Sequence, residues 1–333
     1  MKLSTPRWWY RRQGGGVLSS MLRPLSALYA DQTARRLAAT AAYDPGVPVI
    51  SVGNLTVGGS GKTPVTREIL HMLARRGVDA HALSRGYGGR LAGPLAVDPD
   101  SHLAADVGDE PLMLAQDHPV WIAQDRAAGA RAAVEAGAEA IVLDDGHQNP
   151  ALKKSLALVV VDGETRDGEW PFGDGAVFPA GPMREPLEAG LARADAVVIL
   201  LPADVTGPAA ELSALFRGLP VFSAWLEPLR APSSGPKVGF AGIAKPWRVE
   251  RSLKAAGADL RAFRSFPDHG AYAERDLKAM AAQADRLGAG LITTEKDWAR
   301  LPPDWRRRVE AWPMRTRFED ERAFLRLLPK GPD

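Results

Sequence analysis

The stretch Thr56-Val57-Gly58-Gly59-Ser60-Gly61-Lys62-Thr63 constrains this chain more than any other, because it joins an apolar run, Val47–Val52, to a helical pattern, Lys62–Arg76. A glycine-rich turn between a strand and a helix lets backbone N–H groups point inward at phosphate oxygens, and the helix amino end adds positive potential. In that setting Lys62 reaches the β- and γ-phosphates and the Thr63 hydroxyl serves Mg²⁺. The pattern G-x-x-x-x-G-K-[ST] has glycine where this chain has Thr56, so the match is near rather than full. A nucleoside triphosphate with magnesium is the ligand these residues point to.

Around this loop, short apolar runs alternate with helical patterns, the signature of a parallel sheet covered by helices. Strands are expected at Val47–Val52, Asp79–Ser84, Val120–Ala123, Ala140–Asp144, Leu156–Val161 and Ala196–Leu201, with helices at Lys62–Arg76, Asp109–Gln116 and Arg126–Ala136. A Pro- and Gly-rich stretch, Pro228–Pro236, reads as a linker. A second α/β set follows: strands Val238–Ala241, Leu260–Phe266 and Gly290–Thr294, with helices Pro246–Ala256 and Glu274–Leu287. The last stretch, Glu310–Arg317 and a helix Glu319–Leu328, is placed to return to the first domain. With 333 residues and 45% apolar side chains, there is enough chain for about two cores. The expected division is an arm at 1–40, a nucleotide-binding and catalytic domain at 41–228, a smaller α/β domain at 229–312, and a returning segment at 313–333.

The strand Ala140–Leu143 ends in Asp144-Asp145, delivering carboxylates to the sheet edge where phosphates lie and where a Mg²⁺ site is completed. Transfer to a hydroxyl also needs a proton acceptor or an orienting carboxylate. Asp109-Glu110, Asp268-His269, Arg126 and Arg184-Glu185 are candidates, and periodicity does not choose among them.

Charge is unevenly placed. Residues 1–40 carry Lys2, Arg7, Arg11, Arg12, Arg23, Arg35 and Arg36 against Asp31, a net +6, leaving −4 for the rest. The overall balance of +2 disfavours a nucleic-acid partner. Apolar residues at 17, 18, 21, 22, 25, 28 and 29 form a helical stripe next to Trp8, Trp9 and Tyr10. Packing of the stripe on the body is one reading; an interfacial membrane helix with aromatic anchors and basic flanks is the favoured one. Gly14-Gly15-Gly16 and Arg23-Pro24 interrupt the apolar run a signal peptide needs, so none is expected. No run approaches the ~18 apolar residues of a spanning helix. The absence of cysteine excludes disulfides, Cys-ligated zinc and thiol catalysis.

Taken in order, Ser51–Pro64 with its variant loop, Ser84-Arg85-Gly86-Tyr87-Gly88, Gly108-Asp109-Glu110-Pro111, Asp125-Arg126 and Asp144-Asp145-Gly146-His147-Gln148 resemble the tetraacyldisaccharide 4′-kinase family. Pro182-Met183-Arg184-Glu185-Pro186, Phe266-Pro267-Asp268-His269 and Thr293-Thr294-Glu295-Lys296-Asp297 continue the resemblance, which spans about residues 45 to 300. That family also lacks the first loop glycine. The resemblance implies two P-loop-like α/β domains joined by a short two-stranded linker. It also implies transfer of the γ-phosphoryl of ATP to the 4′-hydroxyl of a tetraacyl glucosamine disaccharide 1-phosphate, giving lipid IVA.

Carried over, Lys62 and Thr63 would hold phosphates and Mg²⁺, Asp144 and Asp145 would serve the metal, and Asp109 with His269 would take the hydroxyl proton. Tyr87, Arg126, Gln148, Arg184 and Glu185 would line the site. The implied setting is peripheral, on the cytoplasmic face of the bacterial inner membrane, where Trp8, Trp9, Arg11 and Arg12 would dock the arm. A membrane-attached P-loop ATPase acting as a nucleotide switch is the alternative. His147, Asn149 and Gly270 depart from the family's usual phenylalanine, histidine and second histidine.

Overall fold

The computed structural model describes residues 6–165 and 169–330; Lys2 of the basic arm and the final residues 331–333 lie outside them. Short runs rich in Val, Ile and Leu form strands buried on both faces when helices cover them. In chain order the first eight are β1 (Val49–Gly53), β2 (Ala80–Ser84), β3 (Leu95–Ala96), β4 (Val120–Ile122), β5 (Ala140–Asp144), β6 (Leu156–Asp162), β7 (Ala196–Leu201) and β8 (Val221–Pro228). Then come β9 (Lys237–Ala241), β10 (Leu260–Ser265), β11 (Gly290–Thr294), β12 (Val309–Trp312) and β13 (Met314–Phe318).

A nine-stranded sheet has the order β13-β8-β7-β6-β1-β5-β2-β4-β3, and a four-stranded sheet the order β10-β9-β11-β12. The large sheet is parallel except at its edges, where β3 opposes β4 and β13 opposes β8. The small sheet is parallel throughout. The chain is thus an α/β protein with a P-loop-type parallel sheet and a second, smaller α/β lobe.

β1 lies between β5 and β6, so the strand order reverses over its carboxyl end, the crevice where α/β sheets bind ligands. Its side chains are buried on both sides. Ile50 and Val52 pack with Val65, Ile69 and Leu73 of helix α2 (Lys62–Ala74), while Val49 joins Leu83, Ala130 and Ile141 on the other face.

The chain leaves the large sheet after β8 and returns at β13. These two strands pair antiparallel from Met314 opposite Pro228 to Phe318 opposite Ala224, and the Leu229 N–H donates to the Pro313 carbonyl at 3.0 Å. The stretch Glu310–Arg317 therefore divides at Pro313 between two sheets, a break invisible in its pattern. β8, with a half-buried sequence and no continuous apolar run, was not legible as a strand.

The amino-terminal helix, Gly16–Ala39, turns the expected polarity outward. Ser19, Ser26 and Thr33, seven residues apart, are its buried residues. The Ser19 hydroxyl donates to the Ala180 carbonyl at 2.8 Å, and the Ala180 N–H donates to Ser26 Oγ at 3.0 Å. Val17, Met21 and Leu28 are 79%, 72% and 66% exposed. The stripe thus faces away from the body.

One anchor is corrected. Trp9 is buried, its indole N–H donates to the Pro179 carbonyl at 3.1 Å, and its ring lies 5.8 Å from Phe178, so it packs on the body. Arg12 is also occupied, pairing with Glu211 at 2.5 Å and lying 4.5 Å over the Trp170 ring.

Candidate active site

The phosphate loop leaves β1 and enters α2 through Gly61, whose φ of 79° is a left-handed conformation that favours glycine. A β-carbon there would stand 2.2 Å from Leu200 Cδ1. The loop is held from outside: the Val57 N–H donates to the Pro182 carbonyl at 2.7 Å and Asn54 Nδ2 to the Thr56 carbonyl at 2.8 Å. Lys62, just inside α2, places Nζ 3.6 Å from Asp145 Oδ1.

At the end of β5 the two aspartates have different surroundings. Asp144 is buried and accepts from Thr63 Oγ1 and Thr66 Oγ1, each at 3.0 Å. Burial raises its pKa to about 7; Glu110 adds to the rise, Lys62 opposes it, and Asp145 adds further. Asp145, at φ 58°, accepts from Arg184 Nη1 at 2.8 Å. Burial works against its charge, yet Lys62 and Arg184 outweigh it and hold its pKa below the usual carboxylate value.

A hydroxyl and two carboxylates are the hard oxygen donors Mg²⁺ takes, so this edge fits that ion. Among the described residues there is no cluster of three or more acidic or histidine side chains that could cage a metal, so a cation here would be completed by phosphate oxygens.

Behind them, Gln148 donates from Nε2 to the Asn54 carbonyl at 2.8 Å and to Glu185 Oε1 at 2.9 Å. Glu185 is buried and clasped by Arg193 Nη2 at 2.6 Å, so it acts as a strut beneath Gln148 and the loop. Arg126 is buried with Nη1 turned to the Ala123 and Gln124 carbonyls, and burial, helped by Arg85, lowers its pKa to about 10, leaving it charged at neutral pH. His147 is buried too. Its Nε2 lies 2.9 Å from the Gly190 carbonyl, and burial depresses its pKa to about 4, so it fills an internal slot as a neutral ring.

The small lobe brings the carboxyl ends of β9 and β11 against this edge. A β-carbon on Gly59 would meet Ala244 Cβ at 3.1 Å, and Lys245 Nζ reaches Asp162 Oδ2 at 2.7 Å. His269, at φ 54°, sets Nδ1 3.0 Å from Asp109 Oδ2 and 3.2 Å from Oδ1. Asp109 is the first residue of a short helix, Asp109–Leu114, behind the turn after β2, and Tyr87 from that turn lies edge-on to the His269 ring at 5.7 Å.

Burial would raise the Asp109 pKa, but the His269 hydrogen bond and the positive charges of Lys296 and Arg300 outweigh it and lower it to about 2, from 3.8. A depressed carboxylate stabilises the fold above pH 4, and that contribution, about 2 kcal/mol, disappears as pH falls from 4 toward 2. Urea unfolding between pH 5 and 2.5 should therefore show a steeper loss of midpoint for the natural protein than for Asp109→Asn; parallel losses would refute the assignment.

Asp109 and His269, 160 residues apart in the chain, meet across the lobes, and Lys62, Thr63, Asp144, Asp145 and Arg184 meet at the β1–β5 edge. Three participants escaped the residue-by-residue reading. Lys296, in the first turn after β11, places Nζ 2.9 Å from Glu110 Oε1. Arg300 Nε lies 3.9 Å from Asp109 Oδ2, and Arg67 Nη1 of α2 donates to Glu295 Oε2 at 2.8 Å. The first had a signal, since Lys296 follows an apolar strand as Asp144 does.

A family model described as Tetraacyldisaccharide-1-P 4′-kinase matches residues 18–331. A tetraacyldisaccharide 4′-kinase from Caulobacter vibrioides strain NA1000 / CB15N is 63% identical over 330 residues, covering 98% of each chain. One from Phenylobacterium zucineum is 62% identical, covering 97% of this chain and 98% of that one. The crystal structure of LpxK from Aquifex aeolicus in complex with ATP superposes with a TM-score of 0.73 at 28% identity, covering 93% of this chain and 98% of that one.

Proposed function

The chain belongs to the tetraacyldisaccharide 4′-kinase family, and on that premise we propose that it moves the γ-phosphoryl group of ATP to the 4′-hydroxyl of tetraacyldisaccharide 1-phosphate, giving lipid IVA for lipid A synthesis. The observation that carries the mechanism is the Asp109–His269 pair, assembled from both lobes beside a phosphate loop.

Phosphoryl transfer is mostly positioning and charge neutralisation. The loop backbone from Thr56 to Gly61 and the Lys62 ammonium receive the phosphates, while Arg184, already on Asp145, adds positive charge at the same edge. Thr63, Asp144 and Asp145 are the residues that would hold Mg²⁺. When bound, that ion neutralises charge developing on the phosphate oxygens.

Asp109 accepts the 4′-hydroxyl proton. Its low pKa makes it a weak base, which suits a loose transition state in which the hydroxyl releases its proton late. His269 orients the carboxylate, and because it comes from the other lobe the pair is complete only with the cleft closed, which keeps water from the phosphoryl group. Tyr87 borders this pair, while Gln148 and Glu185 brace the phosphate loop and Arg126 holds the Ala123 and Gln124 carbonyls.

The test is mass spectrometry of tetraacyldisaccharide 1-phosphate after incubation with protein, ATP and Mg²⁺, with Lys62→Ala as control. One added phosphoryl group on the non-reducing sugar is expected. ATP consumption without it would favour the nucleotide-switch reading.

The substrate's four acyl chains keep it in a bilayer, and we place the enzyme peripherally on the cytoplasmic face of the inner membrane. No described helix is long and apolar enough to cross a membrane. The outward apolar face of Gly16–Ala39 supports interfacial docking, with the exposed Arg36 beside it for anionic lipid, while Arg23 and Arg35 pair with Asp174 and Asp31 at 3.2 and 2.9 Å. Replacing Leu18, Met21, Leu25 and Leu28 by serine should cut binding to anionic vesicles about a hundredfold, at about 0.7 kcal/mol per partly inserted side chain. Activity on detergent-dispersed substrate should change little. Equal losses in vesicles and detergent would make the helix merely structural.

A further inference from the structure

The function proposed above leaves the sequence Thr294-Glu295-Lys296-Asp297 without a task, yet it puts a cation at the centre of the cleft. Lys296 Nζ lies 2.9 Å from Glu110 Oε1, 3.8 Å from Asp109 Oδ2 and 4.0 Å from Asp268 Oδ1. It also lies 3.4 Å from His269 Nε2. Burial would strip its proton, but Glu110, Asp109 and Asp268 outweigh burial and hold its pKa above the ordinary lysine value, so the group is an ammonium.

An ammonium has three donors and no acceptor. Nε2 of His269 lies nearer this ammonium, at 3.4 Å, than the Asp268 carboxylate, at 3.7 Å, so it presents its lone pair, and the ring proton then sits on Nδ1, where it donates to Asp109. A doubly protonated ring would bring an N–H against the ammonium. The charged groups facing the ring are Asp109 and Lys296 from the helices that approach it and Asp268 on its own loop at 3.7 Å, with Arg300 behind Asp109 and the Tyr87 ring at its edge.

We propose, resting on the kinase reading, that Lys296 is a positioning residue that fixes His269 as the neutral Nδ1–H tautomer, so that Asp109 rather than the imidazole is the group left to accept the substrate proton. Lys296 touches neither reacting atom in this role. Its bond to Glu110 also ties the two lobes together.

The first measurement is ¹⁵N–¹H correlation spectroscopy of ¹⁵N-histidine-labelled full-length protein at pH 7, with the His269 signals assigned by their loss in His269→Gln. The Nδ1–H pattern is expected; the Nε2–H pattern overturns the proposal. It reads no turnover, so it stands apart from the test of the kinase reading. The second is the pH profile of kcat. Lys296→Met should lower kcat about tenfold, leave KM for ATP within about twofold, and move the acid limb up by about one pH unit, while Lys296→Arg restores the limb. A fall in kcat with an unmoved acid limb, or an arginine variant no better than methionine, would reduce Lys296 to a lobe tie and sink the proposal.

Discussion

Asparagine in place of Asp109 is expected to lower kcat about a thousandfold while ATP binds within about twofold of the natural protein. The asparagine keeps the volume and one acceptor for His269 Nδ1, but it cannot take a proton. The nucleotide side should be untouched, because the partners of Asp109 are His269, Lys296 and Arg300 rather than the loop. Single-turnover phosphorylation with calorimetric ATP binding separates the two effects. His269→Gln should cost about a hundredfold, and the double variant should be no slower than Asp109→Asn, since the histidine acts through the carboxylate. Additive losses would mean two independent roles, and retained turnover in Asp109→Asn would remove the proton acceptor from the mechanism.

Lys62→Ala is expected to fail on both counts, with ATP affinity down about tenfold and kcat down at least about a hundredfold. Lys62 is held ready at 3.6 Å from Asp145 and is only partly exposed, so its charge is screened less than a surface lysine's. Arginine at this position should not rescue, because the planar guanidinium cannot replace a point charge on a stem seated in the first turn of α2. ATP binding unchanged in Lys62→Ala would place the phosphates elsewhere than on this loop.

How much of this was legible in the sequence depends on the range of the interaction. The phosphate loop is local: a strand, a turn that demands glycine at Gly61 and a helix start all lie within a few residues, and each leaves its mark on the pattern. Asp144 and Asp145 are nearly as local, because an apolar strand points them at the same edge. The Asp109–His269 meeting is not a matter of periodicity, and only the order of motifs suggested it.

Lys296, Arg300 and Arg67 act across the lobes through side-chain contacts that leave no periodic trace. The amino-terminal helix shows the limit most directly. Its stripe was correct as a stripe, but a pattern of apolar residues does not say whether the far side is solvent, lipid or protein. The decisive detail, hydroxyls at Ser19 and Ser26 satisfied by Ala180, belongs to another part of the chain.

The antiparallel ribbon of β8 and β13 is the only covalent route between the lobes among the described residues. A single tether would let the small lobe swivel about any axis. Two hydrogen-bonded strands side by side resist twisting and shearing and leave one soft motion, bending across the ribbon, like a door on two pins. The ion pairs that join the lobes, Lys245 with Asp162 and Lys296 with Glu110, are then geared together, so that one cannot open far while the other stays shut.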